Sequence, residues 1–145
     1  MKEFEILEHT ADIGIAAYGK TKREVFINAA RGMFEIIAGG NKISKGNLRE
    51  NFYDKIKLEA DNLEGLLFAW LNELLYISET KLVILNKFEI RDLSNNKITA
   101  EVKGTKINRL ECKIKKEIKA VTYYRLEIKK DEKSGLWRAQ VIFDI

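Results

Sequence analysis

The residues with the clearest chemical potential are two aspartates near opposite ends of a 145-residue sequence, Asp12 and Asp144. Asp12 precedes Ile13-Gly14-Ile15, and strand alternation puts it on the face opposite Ile13 and Ile15. Asp144 is penultimate, on the face opposite Phe143 and Ile145, and the sequence ends at Ile145 with an α-carboxylate one residue away. If the first and last strands meet in space, three anionic groups converge. An oxygen-only set of that kind suits a hard divalent cation such as Ca²⁺ or Mg²⁺. The competing reading is that Asp12 is a turn residue and Asp144 lies on a frayed terminus.

Other reactive side chains are sparse. Lys119, ahead of Ala120-Val121-Thr122-Tyr123, offers a point positive charge for a phosphate or a carboxylate. His9 is the only histidine, and a lone histidine is more often a hydrogen-bonded structural residue than a ligand. Cys112 is the only cysteine, which excludes an internal disulfide framework and a cysteine-rich zinc site. It lies among lysines but has no histidine near it in sequence, which is weak support for a nucleophile. Gly39-Gly40 ends a helical pattern instead of opening one, so it is not a phosphate loop.

The basic residues are concentrated in one window. Lys and Arg total 26 against 22 Asp and Glu, for a net charge of +4. Residues 101–130 hold ten basic and four acidic residues, so this stretch is +6 and the remainder is −2. Such a patch attracts phosphates and acidic partners, or is simply a solvated face. An apolar share of 46% and a charged share of 33% fit a globular protein and exclude wholesale disorder. No apolar run approaches the ~20 residues of a membrane span, and Met1-Lys2-Glu3-Phe4 does not open a signal peptide. A cytoplasmic, single-domain protein spanning 1–145 is expected.

The elements that must position these residues follow from periodicity. Phe4 and Ile6 alternate with glutamates, and Ile13, Ile15 and Ala17 alternate with smaller or polar residues, marking two strands. Thr21-Lys22-Arg23-Glu24 has capping-box spacing, followed by Phe26, Ala29, Ala30, Met33, Phe34 and Ile37 at helical intervals. Residues 41–51 are turn-like, and Phe52 or Tyr53 opens a strand through Ile56 and Leu58. Asp61 or Asn62 caps a second helix whose stripe is Leu63, Leu66, Leu67, Trp70, Leu71, Leu74 and Leu75. Strands are expected over Leu82–Ile90, over Ile98–Lys103 with Gly104 as its end, over Ala120–Lys129, and from Trp137 to Ile145. Residues 105–116 are ambiguous. The order ββαβαββββ predicts an α+β domain with mostly antiparallel sheets and two main helices.

At this point the sequence resembles the archease family over nearly its whole length. The resemblance rests on His9-Thr10-Ala11-Asp12-Ile13 and on Glu24, Phe26, Asn28-Ala29-Ala30 and Gly32-Met33-Phe34. It continues in Leu66-Leu67-Phe68, Trp70-Leu71-Asn72-Glu73-Leu74-Leu75-Tyr76, Glu117-Ile118-Lys119-Ala120-Val121-Thr122-Tyr123 and Val141-Ile142-Phe143-Asp144-Ile145. It implies an accessory protein and not a stand-alone enzyme. Its partner would be the RNA-splicing ligase RtcB, whose guanylylation by GTP and multiple turnover in tRNA splicing it promotes. A weaker association links the family to tRNA, as a chaperone-like modulator of a tRNA cytosine methyltransferase. The resemblance also implies a divalent metal site at Asp12, Asp144 and Ile145, filled by Ca²⁺ in a crystal and by Mg²⁺ or Mn²⁺ as functional alternatives, with Lys119 as a further activation-critical residue. One departure is visible: many relatives follow Thr-Tyr with His, where this sequence has Tyr124.

Two other classes compete. An RNA-binding module using the basic window predicts tight, salt-dependent tRNA binding by the protein alone. A small metal-dependent hydrolase using Asp12 and Asp144 predicts turnover of a phosphoester without a partner.

Overall fold

The computed structural model describes residues 2–8, 12–39, 51–107 and 118–145. His9, Gly40, Cys112, most of the turn-like 41–51 stretch and most of the ambiguous 105–116 stretch lie outside the described residues. The elements are β1 (Phe4–Glu8), β2 (Asp12–Gly19), α1 (Lys22–Ala38), β3 (Phe52–Glu59), α2 (Leu63–Lys81), β4 (Val83–Leu93), β5 (Lys97–Lys106), β6 (Ala120–Val121), β7 (Glu127–Lys130) and β8 (Trp137–Asp144). One sheet runs β1-β2-β8-β6, with β7 also paired to β8; the other runs β3-β5-β4. Every pairing among the described strands is antiparallel. The α+β class is as expected.

Both helices start where their caps dictate. The Thr21 hydroxyl accepts from the Glu24 N–H at 3.1 Å, and the Glu24 carboxylate reaches back to the Lys20 N–H at 2.6 Å. This closes the helix start one residue earlier than a strict capping box. Asn62, not Asp61, caps α2 by accepting from the Gly65 N–H at 2.7 Å. Gly39 ends α1 in the left-handed conformation. Leu82 does the same for α2, with φ of 53°, so the following strand starts at Val83 instead of Leu82. The Ser78 hydroxyl donates to the Val83 carbonyl at 2.7 Å and holds this bend.

The core lies between the helices and the inner faces of both sheets. All six apolar α1 positions read from periodicity are buried, as is the α2 stripe except for half-buried Leu63. Trp70 locks the helices together: its indole N–H donates to the Phe26 carbonyl at 3.0 Å, and its ring meets Phe88 of β4 edge-on. Buried Asn28 of α1 donates to the Tyr18 carbonyl at 2.7 Å and so ties that helix to β2.

Several boundaries differ from the sequence expectation. β4 runs on to Leu93, beyond the expected end at Ile90. Gly104 does not end its strand; β5 continues to Lys106. Gly104 pairs with β4 beside a bulge between Leu85 and Lys87. A Cβ there would sit 2.3 Å from the Ile84 carbonyl oxygen, so glycine marks close backbone approach, not a stop. The Ala120–Lys129 alternation is not one strand. It breaks into β6 and β7 at a turn where Arg125 adopts φ of 53° and the Leu126 N–H donates to the Tyr123 carbonyl at 3.1 Å. The order is therefore ββαβαβββββ. Finally, β8 ends at Asp144, and Ile145 is exposed instead of continuing its apolar face.

Candidate functional site

The last strand is the middle of the site. β8 has β2 on one side and β6 on the other. Its register with β2 pairs Ile13 with Phe143 and Ile15 with Val141, all four buried. A slip of one residue would turn these side chains to the wrong face, so burial fixes the register. One residue beyond the last buried pair, that register sets Asp12 directly across from Asp144. Asp144 is also the partner of Ala120 on β6, and its carbonyl accepts from the Lys119 N–H at 2.7 Å. Thr122 pins the same segment by donating twice to the Ile142 carbonyl, from N–H at 3.2 Å and from its hydroxyl at 2.8 Å.

Asp12, Asp144 and the Lys119 backbone are thereby brought to one end of three adjacent strands. Directly opposed residues share a sheet face, with Cβ atoms about 4.5–5.5 Å apart, and like charges there are destabilising. The Asp12 Oδ1 atom is also buried and has no hydrogen-bond partner among the described residues. A buried acceptor left without a donor costs about 1–3 kcal/mol. A half-buried carboxylate with an orphaned oxygen, facing an exposed carboxylate, has the donor chemistry that a hard divalent cation satisfies. Among the described residues no group of three or more His, Cys, Asp or Glu side chains is placed to hold a metal ion. The side-chain set here is a pair, with Ile145 next to it in sequence. The Lys119 side chain is exposed. Of His9, close to Asp12 in sequence, nothing is described.

Two neighbours were not legible as site residues. Tyr123 leaves the sheet and stacks on Phe68 of α2, with ring centroids 4.0 Å apart and planes at 12°. Helical periodicity marks Phe68 as off the main apolar stripe, which was the available signal. Tyr124 is 56% exposed with the Arg125 guanidinium 5.2 Å from its ring centroid. That position supplies no imidazole in this chain.

Comparison with known proteins agrees with this fold. Residues 4–145 match the model of the Archease protein family (MTH1598/TM1083). The chain is 43% identical to a protein archease of Methanosarcina barkeri, over 99% of this chain and 97% of that protein. It is 36% identical to one of Pyrococcus abyssi over the whole of both chains. Its fold is similar to the solution structure of Methanobacterium thermoautotrophicum protein 1598, with a TM-score of 0.76 at 34% identity and full coverage of both. The fold also matches the crystal structure of an archease, described as a possible chaperone, from Thermotoga maritima. There the TM-score is 0.61 at 20% identity, covering 96% of this chain and 94% of that one.

Proposed function

The chain belongs to the archease family, and from that premise we propose that it is an accessory activator of the RNA-splicing ligase RtcB. In this reading it promotes guanylylation of the ligase by GTP and its multiple turnover in tRNA splicing, and performs no turnover of its own. The observation that supports the reading is the register pairing of Asp12 with Asp144, together with the orphaned Asp12 Oδ1.

Asp12, Asp144 and a main-chain oxygen of Ile145 are the groups that would hold a divalent ion, Ca²⁺, Mg²⁺ or Mn²⁺. A bound ion supplies charge neutralisation for phosphate oxygens. The chain's own residues supply the rest. The carboxylate pair presents an anionic edge across two adjacent strands, β2 and β8. Lys119, held next to Asp144 through its backbone, carries an exposed ammonium that offsets phosphate charge. Guanylylation needs in-line geometry and charge neutralisation at the phosphorus, and in this reading both groups meet a partner's nucleotide site. The working location is the cytoplasm. Among the described residues no helix is long and apolar enough to cross a membrane.

The test is guanylylation of the cognate ligase, at limiting ligase with GTP and divalent metal, with and without this protein. Many-fold stimulation at substoichiometric amounts is the expected result. No stimulation overturns the proposal. Salt-dependent tRNA binding or an effect on a tRNA methyltransferase then becomes the question, although no observation among the described residues favours either.

A further inference from the structure

We propose that a groove along α2 is a docking site for an arginine- or lysine-bearing segment of a protein partner. The groove encloses about 600 Å³ between the end of β3, the first turns of α2 and the loop after β6. Its floor and walls include the Phe68–Tyr123 stack and three carboxylate residues, Glu59, Asp61 and Glu73. Among the described residues no lysine, arginine or histidine lines it, in a chain with 26 Lys and Arg and a net charge of +4. Glu59 is partly offset by Lys97 at 3.6 Å, but both are about two-thirds exposed, so this pair is weak.

The charge decides the occupant. A nucleic-acid backbone meets repulsion from the described lining residues, whereas a guanidinium or ammonium meets carboxylates and an aromatic face together. Tyr123 is 64% exposed yet held against Phe68, a preformed aromatic surface instead of a freely rotating side chain. Cations over such a face gain about 0.5–1 kcal/mol when exposed and about 2 kcal/mol or more when desolvated. Arginine adds charge-assisted, frequently bidentate bonds to carboxylates. The volume suits one or two side chains of a segment, not a folded domain. Tyr123 of the groove follows Lys119, whose N–H bonds the Asp144 carbonyl, by four residues. The inference does not depend on which protein that partner is.

The experiment titrates the ¹⁵N-labelled full chain with a hexa-arginine peptide, and separately with hexaglutamate and a single-stranded oligonucleotide. Saturable shifts confined to amides of residues 58–73 and 123 are expected with hexa-arginine only. Asp61→Lys and Glu73→Lys should each weaken binding about tenfold, as loss of a charge-assisted bond implies. Tyr123→Ala should weaken it about three- to tenfold. Glu132→Lys, the same charge change at the exposed turn before β8, should leave affinity within about twofold. Four results would each overturn the proposal: shifts spread over the surface, an equal loss in Glu132→Lys, groove shifts with the oligonucleotide, or groove shifts with protein concentration alone.

Discussion

At the residue scale, the Asp12–Asp144 pair sets stability against function. Opposed carboxylates, and a buried oxygen with no partner among the described residues, both cost free energy in the absence of a cation. Asp12→Asn keeps the shape and removes one charge. It should raise stability or leave it unchanged, by about 0.2–1 kcal/mol from the relieved repulsion, while abolishing ligase activation. Thermal denaturation alongside the guanylylation assay measures both. Activation retained by Asp12→Asn and by Asp144→Asn would remove these residues from the site. If the pair holds a cation, adding Ca²⁺ should raise the wild-type Tm and leave Asp12→Asn unmoved. At a hundredfold excess over Kd the stabilisation is about 2.7 kcal/mol. Equal shifts in both proteins would mean binding elsewhere. Lys119→Ala should weaken activation without changing Tm, since its bond to Asp144 is made by the backbone.

The outer face of the β3-β5-β4 sheet carries an element-scale prediction. Tyr53, Glu101, Arg91 and Glu89 lie across its three strands, and the Tyr53 hydroxyl donates to Glu101 at 2.5 Å. That bond first, and the Arg91 contact second, hold Glu101 below its usual 4.5. A carboxylate with a lowered native pKa contributes stability that is full above its unfolded value and fades as pH falls through the native one. The same bond raises the Tyr53 hydroxyl above its usual 10.0, so that contribution is present below pH 10 and fades above it. Tyr53→Phe should move the Glu101 titration midpoint upward by NMR and flatten the acid limb of the stability curve. An unmoved midpoint would mean the hydroxyl bond is not maintained in solution. Within the same sheet, Gly104→Ala drives a Cβ into the Ile84 carbonyl, which backbone cannot yield cheaply. A loss of about 1–3 kcal/mol is expected in denaturant unfolding, the range for overpacking.

For the whole molecule, Trp70 is the joint between layers. It is fully buried, bonded to α1 and in ring contact with β4. Trp70→Phe loses that hydrogen bond and leaves a void, so a cost of about 1–3 kcal/mol is expected, spread over a single cooperative transition. Two separate transitions would show that the sheets unfold independently.

Much of this molecule was legible because periodicity is local. The cap at Thr21 and the apolar faces of both helices follow from side chains three and four residues apart, while the second cap, open between Asp61 and Asn62 in the sequence, falls to Asn62. The carboxylates at Asp12 and Asp144 stand out by type and by their place beside apolar alternation. What the linear order could not settle depends on partners distant in sequence. Gly104 looked like a stop because its reason is the β4 bulge across the sheet. The 120–129 alternation looked continuous because the pull of Phe68 on Tyr123 comes from another element. Composition could not distinguish an acidic groove in a basic chain from a scattered solvated face; only the packing of β3, α2 and the β6–β7 loop gathers those carboxylates. The facing of Asp12 and Asp144, conditional in the sequence, is decided by tertiary structure alone. Burying Ile13, Ile15, Val141 and Phe143 together permits one register, and that register sets the two charges opposite each other.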